Sequence, residues 1–216
     1  MRDAEKEGFH PVRAIVRGYD RAHYYPGGKE SSLKVVAEKE TGRILGGEAI
    51  GEGSSDKFID ILARALHGRM TARQLASVDL AYAPPFSPVL SPIIVAANVL
   101  MNKLEGKIEG IQASEVKEKL KTSKQSFRVL DVREEEEVKA KRIHGTTWIP
   151  YGELKKRLDD LDKRKETVVH CASGLRSYKA RLKLQQEGFE NVKNFDGGCS
   201  AGGTMLRRRL RKRRAK

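Results

Sequence analysis

The sequence has few cysteines and no long apolar run. Its two cysteines, Cys171 and Cys199, are too few for the disulfide framework of a small secreted domain. The longest apolar stretch, "PVLSPIIVAANVLM", has 14 residues and two prolines, which is too short and too broken for a transmembrane helix. The opening "MRDAEKEG" is charged and is not followed by the apolar core of a signal peptide. We therefore expect a cytoplasmic protein without a membrane segment.

Aromatic residues are scarce, and none of them lies in the strongly basic end of the chain. The net charge is +14, and eight of the last ten residues, "RRRLRKRRAK", are basic, which leaves about +6 for the rest. Such a block is typical of a disordered tail, which we predict over residues 204–216. It could bind nucleic acid by counterion release, but it lacks the aromatic residues that stack on bases. Nucleic acid is therefore not an expected partner.

The first half of the chain predicts strands followed by helices. "PVRAIVRG" and "LKVVAEK" have strand composition, and a turn at Gly42 leads into "ILGGEAIG", which together indicate a β-hairpin. "SSDKFIDILARALHGRM" has the apolar spacing of an amphipathic helix, and "IIVAANVLMNKL" is apolar nearly all round, as in a buried helix. We predict an α+β domain, an antiparallel sheet with helices, over residues 1–107.

The second half alternates short apolar strands with helices. "FRVLDVRE" and "ETVVHC" are predicted strands, and "RSYKARLKLQQEGF" is a predicted helix. This order is typical of a small α/β domain with a parallel sheet, which we place at residues 108–203. Functional sites in such sheets lie at the carboxyl ends of the strands. We therefore expect the ends of "VLDVRE" and "VVHCAS" to meet in one crevice.

Cys171 lies between the second of these strands and the helix that follows. Free backbone N–H groups at the start of that helix, together with Arg176, should favour a thiolate over a thiol. Gly174 lets the loop curl, and Ser173 and Ser177 offer hydroxyl donors. This arrangement predicts a nucleophilic cysteine. The alternative is a buried thiol that only packs in the core.

Four segments over about residues 110–198 together resemble the rhodanese family of sulfurtransferases: "VLDVREEEE", "IHGTTWIPYGEL", "VVHCASGLRS" and "GFENVKNFDGG". The resemblance implies that Cys171 accepts a sulfane sulfur, carries it as a persulfide and passes it on. It further implies that Arg176 binds an anionic donor and that Asp131 and Arg133 brace the loop. The residues implied to cradle the persulfide are Ala172, Ser173, Gly174, Leu175 and Ser177.

The length of the cysteine loop separates sulfur transfer from phosphate chemistry. Four residues, "ASGL", lie between Cys171 and Arg176, whereas related cysteine phosphatases use five to surround a phosphate. Thiosulfate, polysulfide or coenzyme A persulfide would suit this loop as donors. After "FDGG" the sequence departs from the family, and Cys199 is either a stray thiol or a group that resolves the persulfide as a disulfide.

The first half resembles the dimerisation domain of FAD-dependent pyridine nucleotide–disulfide oxidoreductases, in the coenzyme A-disulfide reductase and NADH oxidase branch. "DLAYAPPFSP" is the most specific segment, and "HYYPGG" supports it. The resemblance implies a homodimer in which Tyr25, or its neighbour Tyr24, and Tyr82 reach the flavin side of the partner subunit. Alternatively, these tyrosines only pack the interface between subunits.

A complete reductase of this kind needs dinucleotide-binding units that begin with G-x-G-x-x-G after a strand. "GEGSSD" (51–56) lacks the third glycine, so we expect neither FAD nor NAD(P)H, nor a metal, in this chain. Those cofactors are implied only for a full-length relative or a flavoprotein partner, of which the chain resembles the carboxyl-terminal part. The leading hypothesis is a rhodanese-type sulfurtransferase tethered to a dimerisation domain. The alternative is a non-catalytic dimerisation or docking module of a flavoprotein disulfide reductase.

Overall fold

The structure is a computed structural model that describes residues 2–122, 126–141, 143 and 145–198. The chain divides between Lys107 and Ile108 into two units. The predicted tail over 204–216 and Cys199 lie outside the described residues. Within the described ranges, no helix combines the length and the apolar composition that crossing a lipid bilayer requires.

An antiparallel three-stranded sheet forms the centre of the first unit. The strands lie in the order β1 (Pro11–Tyr19), β2 (Glu30–Glu38) and β3 (Ile44–Gly51). The predicted hairpin is confirmed as β2 and β3, and Gly42 takes a positive φ of 70° in the turn between them. Glycine adopts this left-handed backbone without the steric cost that other residues meet.

Four helices accompany this sheet: α1 (Arg2–Lys6), α2 (Ser55–His67), α3 (Ala72–Ala76) and α4 (Pro92–Leu104). The predicted amphipathic helix is α2, whose Phe58, Leu62 and Ala65 are buried. The apolar helix α4 is buried as predicted, because Ile93, Ala97 and Leu100 are completely covered by the core. The predicted α+β architecture of the first half is therefore confirmed.

The glycines of "GEGSSD" have a packing role between β3 and α2. A Cβ atom on Gly53 would lie 2.3 Å from the carbonyl oxygen of Lys29, and one on Gly51 would lie 2.4 Å from that of Glu30. Only glycine allows such close backbone contact. The two glycines therefore allow the segment between β3 and α2 to pass close to the backbone at the start of β2.

The second unit contains a five-stranded parallel sheet in the order β4-β8-β7-β5-β6. Three helices connect its strands, and a 3-10 helix spans Leu154–Asp160. The predicted small parallel α/β domain is therefore confirmed. Its strands and helices are β4 (Gly110–Ile111), α5 (Ala113–Thr122), β5 (Phe127–Asp131), α6 (Glu135–Ala140), β6 (Thr147–Trp148), β7 (Glu166–His170), α7 (Leu175–Gln186) and β8 (Val192–Phe195).

The central strands β5 and β7 determine where the predicted site lies. Val129 and Val168 pack on one face of the sheet, and Leu130 and Val169 pack on the other. Burial on both faces is the reason for the continuous apolar runs in the sequence. The register places Asp131 beside His170, so the carboxyl ends of β5 and β7 are adjacent. The predicted convergence of these two strand ends is confirmed.

Candidate active site

Cys171 is fully buried and follows β7 directly. Its sulfur accepts backbone hydrogen bonds from Gly174 N at 3.1 Å and from Ser177 N at 3.4 Å. Both donors lie at the beginning of α7, where backbone N–H groups have no partner within the helix and the helix dipole is positive. The sulfur therefore lies where negative charge on it is stabilised, and not in a purely apolar core.

Gly174 gives the loop the curvature that aims these N–H groups at the sulfur. It precedes α7 in the left-handed region, with φ 108° and ψ −20°. A Cβ atom on Gly174 would have no heavy atom within 4 Å, so the backbone angle, and not lack of space, requires glycine here.

Ser177 is buried, and its side chain contacts both Cys171 and Gly174 of the loop. Its hydroxyl donates to the carbonyl of Gly174 at 2.9 Å, and its oxygen lies 3.5 Å from the sulfur of Cys171. A serine hydroxyl has one proton, and the shorter contact directs that proton to the carbonyl. Ser177 therefore holds the shape of the loop, and its oxygen lies within hydrogen-bond distance of the Cys171 sulfur. Its role as a hydroxyl donor to that sulfur stays a prediction. Ser173 is exposed, as is Leu175.

Arg176 forms a two-pronged ion pair with Glu137 of α6. Its two terminal nitrogens lie 2.5 and 2.7 Å from the two carboxylate oxygens of Glu137, and Glu134 follows at 3.7 Å. The Glu137 carboxylate raises the pKa of Arg176, with a smaller contribution from Cys171, and the guanidinium lowers the pKa of Glu137. The predicted anion-binding arginine thus already holds a carboxylate.

The predicted supporting residues, Asp131 and Arg133, form a buried ion pair at the end of β5. Arg133 donates from Nε at 2.9 Å and from a terminal nitrogen at 2.6 Å to the Asp131 carboxylate, and its backbone N–H donates as well. The guanidinium also binds the carbonyls of Glu137 and Lys141. The pair therefore fixes α6, the helix that carries Glu137, and supports the cysteine loop through it.

His170 is the last residue of β7, directly before Cys171, and its side chain is buried. Its Nε2 lies 3.5 Å from a carboxylate oxygen of Asp131, and neither ring nitrogen makes a hydrogen bond with the residues that the structure describes. Burial lowers the pKa of His170 to about 4, against an opposing contribution from Asp131. His170 is therefore neutral at pH 7.

Two family models match the chain. The rhodanese-like domain model matches residues 112–203, and the pyridine nucleotide-disulphide oxidoreductase dimerisation domain model matches residues 2–92. The Bacillus subtilis protein YtwF is named provisionally as a sulfurtransferase. It is 36% identical to this chain over 91 residues, which make up 42% of this chain and 86% of that protein. The chain belongs to the rhodanese family. Its rhodanese-like domain follows a reductase dimerisation domain.

Two longer proteins of known structure match both domains, and a longer sulfur oxidoreductase matches part of the chain. The structure of reduced CoADR-RHD from Bacillus anthracis matches 95% of this chain with a TM-score of 0.87 and 29% identity. An NAD-dependent persulfide reductase from A. fulgidus matches 91% with a TM-score of 0.81 and 42% identity. The NAD(P)H sulfur oxidoreductase (CoA-dependent) of Pyrococcus abyssi is 45% identical over 85 residues, 39% of this chain and 19% of that protein. This chain covers 36% of the length of the Bacillus anthracis protein and 35% of that of the A. fulgidus reductase.

Gly198 of the rhodanese-like domain was not among the residues predicted for the site. It takes a φ of 63°, and a Cβ atom there would lie 2.3 Å from the carbonyl oxygen of Ala172 and 2.7 Å from that of Cys171. The second glycine of "FDGG" therefore lies directly against the cysteine loop. The double glycine just after a short strand was the available signal for such close backbone contact.

In the dimerisation domain, Tyr82 lies next to Tyr24. A hydrogen bond between the two side chains raises the pKa of Tyr82. Tyr25 is partly exposed, and its backbone N–H donates to the carbonyl of Ala22. Of the two tyrosines that we considered beside Tyr82, the structure brings Tyr24 to it.

Replacing Gly198 with alanine should distort the cysteine loop, because the added Cβ atom would clash with the backbone of Ala172. We expect the unfolding free energy to fall by about 2–4 kcal/mol, because the substitution combines a clash with backbone and a positive φ. Gly188→Ala is the matched control, since Gly188 has a φ of 85° but no heavy atom within 4 Å of its would-be Cβ. The control should lose only about 1 kcal/mol. Urea unfolding tests both variants, and equal losses would show that the contact with Ala172 is unimportant.

His170 should make the stability of the rhodanese-like domain depend on pH. Folding lowers its pKa from 6.5 to about 4, so between these values the unfolded chain binds a proton that the folded chain excludes. Stability should therefore fall as the pH drops from 6.5 to 4, by up to about 3 kcal/mol, and be unaffected above 6.5.

His170→Phe removes this titration and keeps a ring of similar shape. Urea unfolding of both proteins at pH 7, 5.5 and 4.5 isolates the contribution of His170 from that of the carboxylates, which both proteins share. The wild-type protein should lose more stability than the variant as the pH falls. Parallel losses in the two proteins would contradict the assignment.

Proposed function

We propose that the rhodanese-like domain transfers sulfane sulfur through a persulfide on Cys171. The observation that carries the proposal is the pair of backbone N–H groups, from Gly174 and Ser177, directed at the sulfur. Such donors stabilise a thiolate before reaction, and they are suited to an anionic persulfide afterwards. A structural cysteine in an apolar core would not need them.

The reaction consists of two displacements at sulfur. In the first, the thiolate of Cys171 attacks the sulfane sulfur of a donor such as thiosulfate, a new S–S bond forms, and sulfite leaves with the electron pair of the broken bond. In the second, an acceptor thiolate or cyanide attacks the outer sulfur of the persulfide, and the Cys171 thiolate is regenerated. No external oxidant or reductant is consumed.

We further propose that the dimerisation domain forms a homodimer and works with a flavoprotein, as the reductase relatives suggest. An exposed group of aromatic and aliphatic side chains in this domain offers a surface for a partner: Tyr24, Tyr82, Phe86, Val89 and Leu90. Aromatic side chains are enriched at protein interfaces. Coenzyme A persulfide and polysulfide are suitable donors in such a system, in which FAD and NAD(P)H would be bound outside this chain.

Direct detection of the persulfide tests the sulfurtransferase proposal. The reduced full-length chain is incubated with thiosulfate, and mass spectrometry is used to look for one added sulfur. We expect the sulfur on the peptide that contains Cys171 and its loss, as thiocyanate, on addition of cyanide. The Cys199→Ser variant should gain the same sulfur. A chain that gains none from thiosulfate or from an organic persulfide would favour the non-catalytic docking module.

A further inference from the structure

Arg176 is the only charged residue between Cys171 and Ser177, and its charge is already engaged. Two nitrogens of the guanidinium hold both carboxylate oxygens of Glu137, in the bidentate geometry that arginine and carboxylate groups favour. The Glu134 carboxylate lies at 3.7 Å from the same guanidinium. Two negative charges therefore lie beside one positive charge at this edge of the loop.

This balance of charge disfavours a small dianion. Thiosulfate would carry two negative charges to a thiolate, next to a guanidinium whose positive charge the Glu137 carboxylate already balances. To bind Arg176 it must displace the Glu137 carboxylate, or use the other N–H groups of the guanidinium against the repulsion of that carboxylate. An organic persulfide has at most one negative charge at its reacting end, so it does not need the guanidinium as a counterion.

The surface next to Arg176 suits an organic donor. Leu175, its neighbour in the chain, is 61% exposed at the beginning of α7. An exposed leucine on the reactive loop offers apolar contact to the carbon portion of a donor, which thiosulfate lacks.

We propose that Glu137 is a specificity-determining residue that makes organic persulfides, and not thiosulfate, the favoured sulfur donors of Cys171. This inference rests on the proposed sulfurtransferase function. In the favoured reaction the Cys171 thiolate attacks the outer sulfur of R–S–SH. The S–S bond of the donor breaks, RS⁻ leaves with the electron pair, and the proton stays on the new Cys171 persulfide.

Glu137→Gln tests the inference, because glutamine keeps the size of the side chain and removes its charge. Loading of Cys171 is followed by rapid quenching and mass spectrometry of the full chain, with thiosulfate and with glutathione persulfide as donors. For thiosulfate we expect loading at low donor concentration to rise about tenfold, mainly through a lower half-saturating concentration. For glutathione persulfide we expect a change of less than about twofold, since its reacting end does not depend on Arg176.

Glu135→Gln is the matched control, since Glu135 lies on the same helix but pairs with Lys139. It removes the same charge and should leave both donors unaffected. The inference is overturned if the thiosulfate-to-persulfide ratio changes less than about threefold in Glu137→Gln, if Glu135→Gln changes it equally, or if loading by both donors falls together. If Glu137→Gln does not fold, Glu134→Gln takes its place, with a smaller change expected in the same direction. A wild-type chain that neither donor loads contradicts the sulfurtransferase proposal itself.

Discussion

Replacing Cys171 with serine should abolish sulfur transfer, with turnover of thiosulfate and cyanide falling by at least about 10³-fold. A serine hydroxyl cannot form a persulfide, so the first displacement has no nucleophile. Serine is close to cysteine in size, and the loop hydrogen bonds from Gly174 and Ser177 can persist to its oxygen. The loss should therefore come from chemistry and not from misfolding. Thiocyanate formation gives the rate, and urea unfolding gives the stability.

The second cysteine provides the control for this experiment. Cys199→Ser should keep the wild-type rate if Cys199 is a stray thiol, as one of our two sequence hypotheses states. A Cys171→Ser variant with more than about one tenth of the wild-type rate would contradict a persulfide on Cys171. If Cys199→Ser alone removed activity, the sulfur-carrying residue would have to be reassigned to Cys199.

The local parts of the site could be predicted from the sequence because they are close together in the chain. Cys171, Gly174 and Arg176 lie within one strand–loop–helix segment, where residue type and spacing are sufficient to predict the turn. The apolar runs ending at Asp131 and His170 predicted two buried parallel strands, and the alternation of strands and helices predicted their adjacency. The structure confirms that adjacency through the pairing of Asp131 with His170.

The long-range contacts could not be predicted in this way. Glu137 is 39 residues from Arg176, and nothing in "REEEEV" distinguishes it from the three glutamates before it. Only the start of α6 decides which carboxylate faces the loop. Similarly, the burial of His170 depends on the packing of both faces of the sheet, and the contact of Gly198 with Ala172 depends on where β8 ends.

The pairs Asp131–Arg133 and Glu137–Arg176 form a connected support for the cysteine loop. The first pair is buried and holds α6 through the carbonyls of Glu137 and Lys141. The second pair is half-exposed and reaches from α6 to the loop. A substitution in the buried pair should therefore alter the position of the cysteine loop as well as lower the unfolding free energy.

Arg133→Met is the change with the largest expected effect on stability. It leaves the Asp131 carboxylate buried without its counterion, and Asp131 is 0% exposed. Breaking a buried ion pair in this way costs about 3–5 kcal/mol of unfolding free energy, which urea unfolding at pH 7 would measure. A loss of less than about 1 kcal/mol would show that the pair is not needed for stability.

The double variant Asp131→Leu with Arg133→Met tests why Arg133→Met lowers stability. The cause is either the buried Asp131 carboxylate left without a counterion or the loss of the attraction between the two charges. Removing both charged groups eliminates the uncompensated carboxylate, so the double variant should recover most of the stability that Arg133→Met loses. Its rate of sulfur transfer from glutathione persulfide should nevertheless stay below that of the wild type, because α6 loses the hydrogen bonds from Arg133 to the carbonyls of Glu137 and Lys141 and supports the cysteine loop less well. Recovery of stability together with full activity would instead show that α6 keeps its position without the ion pair.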